Sequence, residues 1–129
     1  MNTAGLRKEC REIYPNRQLL QLAFAQGIPI AFGSDFPVEE VNPLLGLDAA
    51  VNRANWYPEQ KLTLDEAVAG FTTGALFAVG EEAQAGKRAD VTIFNGRLEP
   101  ATLKDREVLM TVVGGEVVYE RPGLEASKR

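Results

Sequence analysis

In this 129-residue sequence the position best placed for chemistry is an aspartate that follows a short apolar run. The run Ile28-Pro29-Ile30-Ala31-Phe32 is bounded by Gly27 and Gly33, and Ser34-Asp35-Phe36-Pro37 comes next. A continuous apolar run of this length suits a strand buried on both faces, as in a parallel sheet. α/β folds gather their ligand-binding and catalytic groups just beyond the carboxyl ends of such strands. A carboxylate there can ligate a divalent cation or act as a general base, and partial desolvation strengthens both roles. Asp and Ser are also favoured as plain turn residues, because their side chains hydrogen-bond the local backbone. Spacing alone leaves both readings of Asp35 open.

Other chemistries are narrowed by composition. The sequence contains no histidine, so a Ser-His-Asp triad, a Cys-His pair and a histidine metal cage are excluded within this chain. Cys10 is the only cysteine, which rules out an intramolecular disulfide and fits a reducing, cytoplasmic setting. Lys and Arg total 14 against 18 Asp and Glu, a net charge of -4. The basic residues are scattered, which speaks against nucleic acid or an anionic membrane as a partner. Met1 to Arg11 is charged and lacks the apolar core of a secretory signal, and no apolar stretch approaches the length of a membrane span. The overall balance, 45% hydrophobic and 25% charged, is that of a soluble globular chain.

The elements that must position Asp35 follow from spacing. Leu19, Leu20, Leu22, Ala23 and Phe24 give Asn16 to Gln26 a wide helical apolar arc, stopped by Gly27. Asn42-Pro43 supplies a cap and a first-position proline for a helix that carries Leu44, Leu47 and Val51 and ends near Arg53. Thr63 and Glu66 form a capping box, with Leu62 and Ala67 placed as a hydrophobic staple. From there Val68, Phe71 and Ala75 line one helical face, Gly70 and Gly74 allow close packing, and Gly80 is the stop.

Beyond Glu81 the pattern changes to alternation. Val91 to Phe94 reads as a strand closed by Asn95-Gly96, and Val108 to Val113 and Glu116 to Tyr119 as two strands joined by Gly114-Gly115. The fold class is therefore α/β plus a small β part, divided near residue 80 into segments 1–80 and 81–129. A lone buried strand at Ile28 to Phe32 requires neighbours to satisfy its backbone, and nothing else in 1–80 reads as one. The first segment thus resembles the end of a larger sheet or barrel.

Among the loops, Ser34, Pro37, Asn42 and Trp56 are the residues placed to line a substrate pocket. For Trp56 and its neighbour Tyr57, packing beneath a loop is the favoured use. Glu39 and Glu40 read as solvated loop charges, since sequence neighbours rarely converge on one point.

Taken in series, the stretches at Ile28 to Pro37, Asn42 to Leu44, Leu62 to Ala67, Ala85 to Val91 and Val112 to Tyr119 resemble the carboxyl-terminal end of the metal-dependent amidohydrolases. The likeness is to the branch described as amidohydrolase-like or exoenzyme regulatory proteins, and it covers Asn16 to Tyr119. The resemblance implies the last αβ units of a (β/α)8 barrel, an incomplete barrel here, followed by strands of the family's β-sandwich. It implies a divalent metal, zinc above all, and gives Asp35 the place of the aspartate that binds metal and exchanges a proton with the attacking water. Lys87 and Asp90 fall in the sandwich as turn and packing residues. The family's other ligands are mostly histidines, and this chain has none.

Two functions follow as expectations. The chain is a portion of an enzyme that cleaves carbon–nitrogen bonds of a small-molecule substrate, and by itself binds no metal tightly and hydrolyses nothing. Alternatively, it is a non-catalytic module that self-associates through apolar surfaces around Ile28 to Phe32 and the Phe71 helix face.

Overall fold

The structure is a computed structural model that describes residue 23 and residues 25–53, 58–81 and 89–124. The helix expected over Asn16 to Gln26 falls almost wholly outside the described residues, as do Cys10, Trp56, Tyr57 and Lys87.

Helix α1, Pro43–Asn52, begins as its sequence directs. The Asn42 side chain accepts the Leu44 amide at 3.1 Å from an extended cap, and Pro43 stands where no amide donor is required. Leu44, Leu47, Ala50 and Val51 form its buried face. The helix ends on Arg53 in the left-handed conformation, φ 57°.

Helix α2, Leu64–Phe71, carries the capping box in full. Glu66 Oε2 accepts the Thr63 amide at 2.8 Å, and Thr63 Oγ1 accepts the Glu66 amide at 3.3 Å. Leu62 and Ala67, the staple pair, are both buried. Sequence spacing gives one helix up to Gly80, whereas the structure interrupts it at Thr72 and resumes as α3, Thr73–Ala78. Two adjacent threonines explain the break. Their hydroxyls donate to the carbonyls of Val68 at 2.8 Å and Ala69 at 3.2 Å, and this side-chain bonding competes with the regular helical ladder. At the far end, the amides of Gly80 and Glu81 donate to Phe77 and Leu76 carbonyls, the double closure of a Schellman motif.

The segment 28–34 departs from its expected form. It has no strand pairing, and Ile28 is 55% exposed. A strand exists by its ladder, and the described residues place none beside this one. The segment docks instead on α2 and α3: the Phe32 amide donates to the Gly70 carbonyl at 3.0 Å, and the Phe32 ring meets Phe71 edge-on with centroids 5.5 Å apart. Gly70 and Gly74 permit this approach. A Cβ at Gly70 would overlap the Phe32 ring, and one at Gly74 would overlap the Ile30 carbonyl oxygen.

Strands β1 (Val91–Phe94), β2 (Val108–Val113) and β3 (Glu116–Glu120) form one antiparallel sheet in that order. The β2–β3 turn is Gly114-Gly115 with φ 62° and 87°, the positive pair that a type I′ hairpin needs. Asp90 holds that turn, accepting the Gly114 amide at 2.6 Å, which agrees with its reading as a turn residue. Much of the sheet is open to solvent: Val117 is 56% and Val118 60% exposed.

One apolar cluster joins the helical and strand parts. Leu44, Leu47, Ala50, Val51, Leu62 and Ala67 pack with Leu103, and Phe32, Phe71, Phe94 and Leu98 border them. Leu103 arrives on a 3-10 helix, Pro100–Asp105, that the alternation pattern did not reveal. A polar clasp seals the same joint. Asp48 takes the Asn52 amide at 2.7 Å and the Lys104 ammonium at 2.8 Å, while Asn52 also donates to the Pro100 carbonyl at 2.8 Å. No described helix is long and apolar enough to cross a membrane.

Candidate functional site

The site is a cleft between α1 and the segments that flank it. Helix α1 contributes Gly46, Ala49 and Ala50, with Gly46 three and four positions from the two alanines and so on their face, and its C-cap Arg53 also borders the space. The small side chains leave room, and Phe32, Ser34, Asn42 and Phe71 close the space into a cavity of about 600 Å³. That lies within the ~300–1,000 Å³ typical of small-molecule sites.

Asp35 directly follows the lining residue Ser34 but is not itself part of the lining. It occupies the left-handed region with φ 52°, a conformation that Asp tolerates because its short polar side chain bonds locally. Its carbonyl accepts the Val38 amide at 2.8 Å, closing the turn 35–38, and the residue is exposed. The Phe36–Pro37 peptide within the turn is cis. The structure thus brings Ser34 and Asn42 into one cleft, sets Asp35 and Pro37 on the adjoining turn, and leaves Trp56 outside the described residues.

Sequence reasoning missed some of the lining. Glu39 and Glu40 are exposed, as expected of loop charges, yet both also border the cleft. Arg53 entered only as a helix end, although it also borders the cleft. Burial pulls the Arg53 guanidinium below its ordinary value, and the charge of Glu59 acts in the opposite direction. The guanidinium keeps its proton throughout, so the cleft holds a partly desolvated cation at one place and two solvated carboxylates at another.

These residues do not make a metal centre by themselves. A tetrahedral zinc takes four ligands of the Cys, His, Asp or Glu type. Among the described residues no three such side chains converge, and the sequence offers no histidine. Asp35 can contribute one carboxylate and no more.

Helices followed by an antiparallel sheet, with a carboxylate turn beside an apolar-walled cleft, define a mixed α and β protein with a cleft of small-molecule size. The amidohydrolase family model matches residues 7–119, and the chain belongs to that family. It is 34% identical over 113 residues to "Putative amidohydrolase YtcJ" of Bacillus subtilis (strain 168), covering 75% of this chain and 21% of that protein. It is 30% identical to an N-substituted formamide deformylase of Arthrobacter pascens, covering 92% of this chain and 24% of that enzyme. A third relative, Protein LONG AFTER FAR-RED 3 of Arabidopsis thaliana, is 31% identical over 70% of this chain and 18% of its own length. The chain therefore spans about a quarter or less of the curated relatives it matches. No solved structure matches it.

Proposed function

We propose that this chain supplies Asp35 to an amidohydrolase active site that hydrolyses amide-type carbon–nitrogen bonds, the rest of the site coming from sequence beyond these residues. The observation that carries the reading is the Asp35 turn: an exposed carboxylate, held in a left-handed conformation, one residue beyond a cleft-lining serine. Family membership supports the bond type.

In the reaction, the Asp35 carboxylate accepts a proton from water as the water oxygen bonds to the amide carbonyl carbon. It returns that proton to the nitrogen as the carbon–nitrogen bond breaks, leaving a carboxylic acid and an amine. Asp35 would also hold a divalent metal, zinc in our reading, through its carboxylate, together with ligands that the described residues do not supply. Such a metal would lower the pKa of a bound water toward neutrality and so ease the proton transfer to Asp35. Segment 1–80 then represents the closing strand and helices of a (β/α)8 barrel and segment 81–129 part of the β-sandwich. That reading would account for the lack of a neighbouring strand beside 28–32 among the described residues and for the open sheet.

Exchanging the matched quarter of the formamide deformylase for this chain tests the proposal. Retained deformylase turnover supports it, and a folded but inert chimera opposes it.

The exposure of Val117, Val118 and Ile28 favours a second reading, in which the chain self-associates through its open apolar surfaces. The Phe71 face contributes less than the sequence suggests, since Phe71 is half-buried against Phe32. Sedimentation at several concentrations decides: a stable dimer supports association, and a monomer throughout removes it.

A further inference from the structure

We propose that Asn95 is a self-modification site, where the Gly96 backbone nitrogen attacks the Asn95 side-chain amide and converts the residue through a succinimide to aspartate and isoaspartate, promoted by the Arg106 guanidinium and the Glu107 amide beside it.

The nucleophile is accessible. Asn95 is the only asparagine of the sequence that precedes a glycine, and both residues are exposed on the bend that follows β1. Glycine brings no side chain to shield its own nitrogen. Among the described residues no acceptor takes the Gly96 amide, so its attack gives up no internal hydrogen bond.

The electrophile is held and polarised. The Asn95 amide donates to the Glu107 carbonyl at 3.0 Å, and the Glu107 amide donates back to Asn95 Oδ1 at 3.2 Å. A donor on Oδ1 withdraws electrons from Cγ and faces the oxygen on which negative charge grows as the nitrogen adds. Arg106 supplies a cation on the other partner. A Cβ at Gly96 would stand 3.0 Å from Arg106 Nη1. The guanidinium is fixed there by Nε, which donates to the Arg97 carbonyl at 2.9 Å, and by Nη2, which donates to Thr102 Oγ1 at 2.9 Å. A positive charge beside Gly96 favours loss of the amide proton and steadies the anionic intermediate that follows.

The step needs only water. Hydroxide takes the Gly96 amide proton, and the nitrogen electron pair bonds to Asn95 Cγ. The side-chain nitrogen takes a proton from water and leaves as ammonia, which closes the succinimide ring. Water then adds to either ring carbonyl. Breaking the Cγ–N bond gives aspartate on an unaltered main chain, whereas breaking the backbone C–N bond gives isoaspartate, whose main chain runs through Cβ and Cγ. Aspartate keeps an oxygen for the Glu107 amide. Isoaspartate lengthens the chain directly after Phe94, which packs against the shared core, so that product loosens the end of β1.

The test holds the folded 129-residue chain at mildly alkaline pH and follows it over days. Peptide masses report the NH2→OH exchange, and enzymatic methylation reports isoaspartate. Asn95 is expected to convert ahead of every other asparagine. Arg106→Gln, which removes the charge, should slow conversion by about tenfold, less than a buried oxyanion donor is worth because solvent screens part of the charge. Arg106→Lys should restore most of the rate. High salt, where the Debye length falls to about 3 Å, should slow the parent chain in the same sense and serves if the glutamine variant fails to fold. An Asn95 that persists as long as the other asparagines, a folded Arg106→Gln chain that converts at the parent rate, or a parent rate unmoved by salt each overturns the proposal.

Discussion

Lys104 Nζ lies 2.8 Å from Asp48 Oδ2, and the pair ties the 3-10 helix of the strand part to α1 of the helical part. The Asp48 side chain is only 16% exposed. Burial pushes its carboxyl upward, but the hydrogen bonds from Lys104 and Asn52 and the Lys104 charge together outweigh this, so it sits below its ordinary 3.8.

A pH dependence with a definite sign follows. A carboxyl depressed in the folded state contributes stability that is present above its unfolded pKa and lost as pH falls through the folded value. Asp48→Asn should therefore destabilise the chain near neutrality, by about 1 kcal/mol. The gap between variant and parent should close as pH drops below about 4. Urea unfolding at a series of pH values measures it. Lys104→Ala should have the smaller effect, under about 1 kcal/mol, because the lysine is 62% exposed and solvent screens its charge.

Leu103→Ala tests whether the core is shared. Leu103 is 1% exposed and belongs to the cluster built by α1 and α2, so its truncation should cost about 2–5 kcal/mol. Loss of amide protection in α1 as well as in the sheet is the expected signature. Loosening confined to the 3-10 helix would contradict a common core.

Gly74→Ala places a methyl group against the Ile30 carbonyl oxygen, a backbone atom that can retreat only with its segment. The substitution should destabilise by about 1–3 kcal/mol. Phe32 is the reporter, since its amide is bonded to the Gly70 carbonyl. Its hydrogen exchange should accelerate, and an unchanged rate would show that the docked segment does not depend on this contact.

What the residues disclose in advance is local. The cap at Asn42 and the box at Thr63 and Glu66 are closed by hydrogen bonds within a few residues, and the Gly114-Gly115 turn is set by its own two positive φ angles, so their patterns are written in adjacent letters. The interruption at Thr72 escaped notice because helical spacing continues through it, while the hydroxyl bonds that cause it have no periodicity. The burial of Leu103 and the clasp of Lys104 to Asp48 depend on contacts between residues far apart in the chain, which no window of spacing contains. That Asp35 sits on a turn beyond an apolar run was legible from Gly33, Ser34 and Pro37. The cleft was not, because Arg53, Gly46 and Phe71 meet only once α1 and α2 are packed.

The central claim is that Asp35 carries the proton in amide hydrolysis, and one substitution tests it most directly. In the deformylase chimera, Asp35→Asn keeps a side chain that tolerates the left-handed turn while removing the ionisable group. The expected result is a fall in kcat of about 10²–10⁴-fold with the chimera still folded. A folded Asp35→Asn chimera that turns over at the parent rate would contradict it.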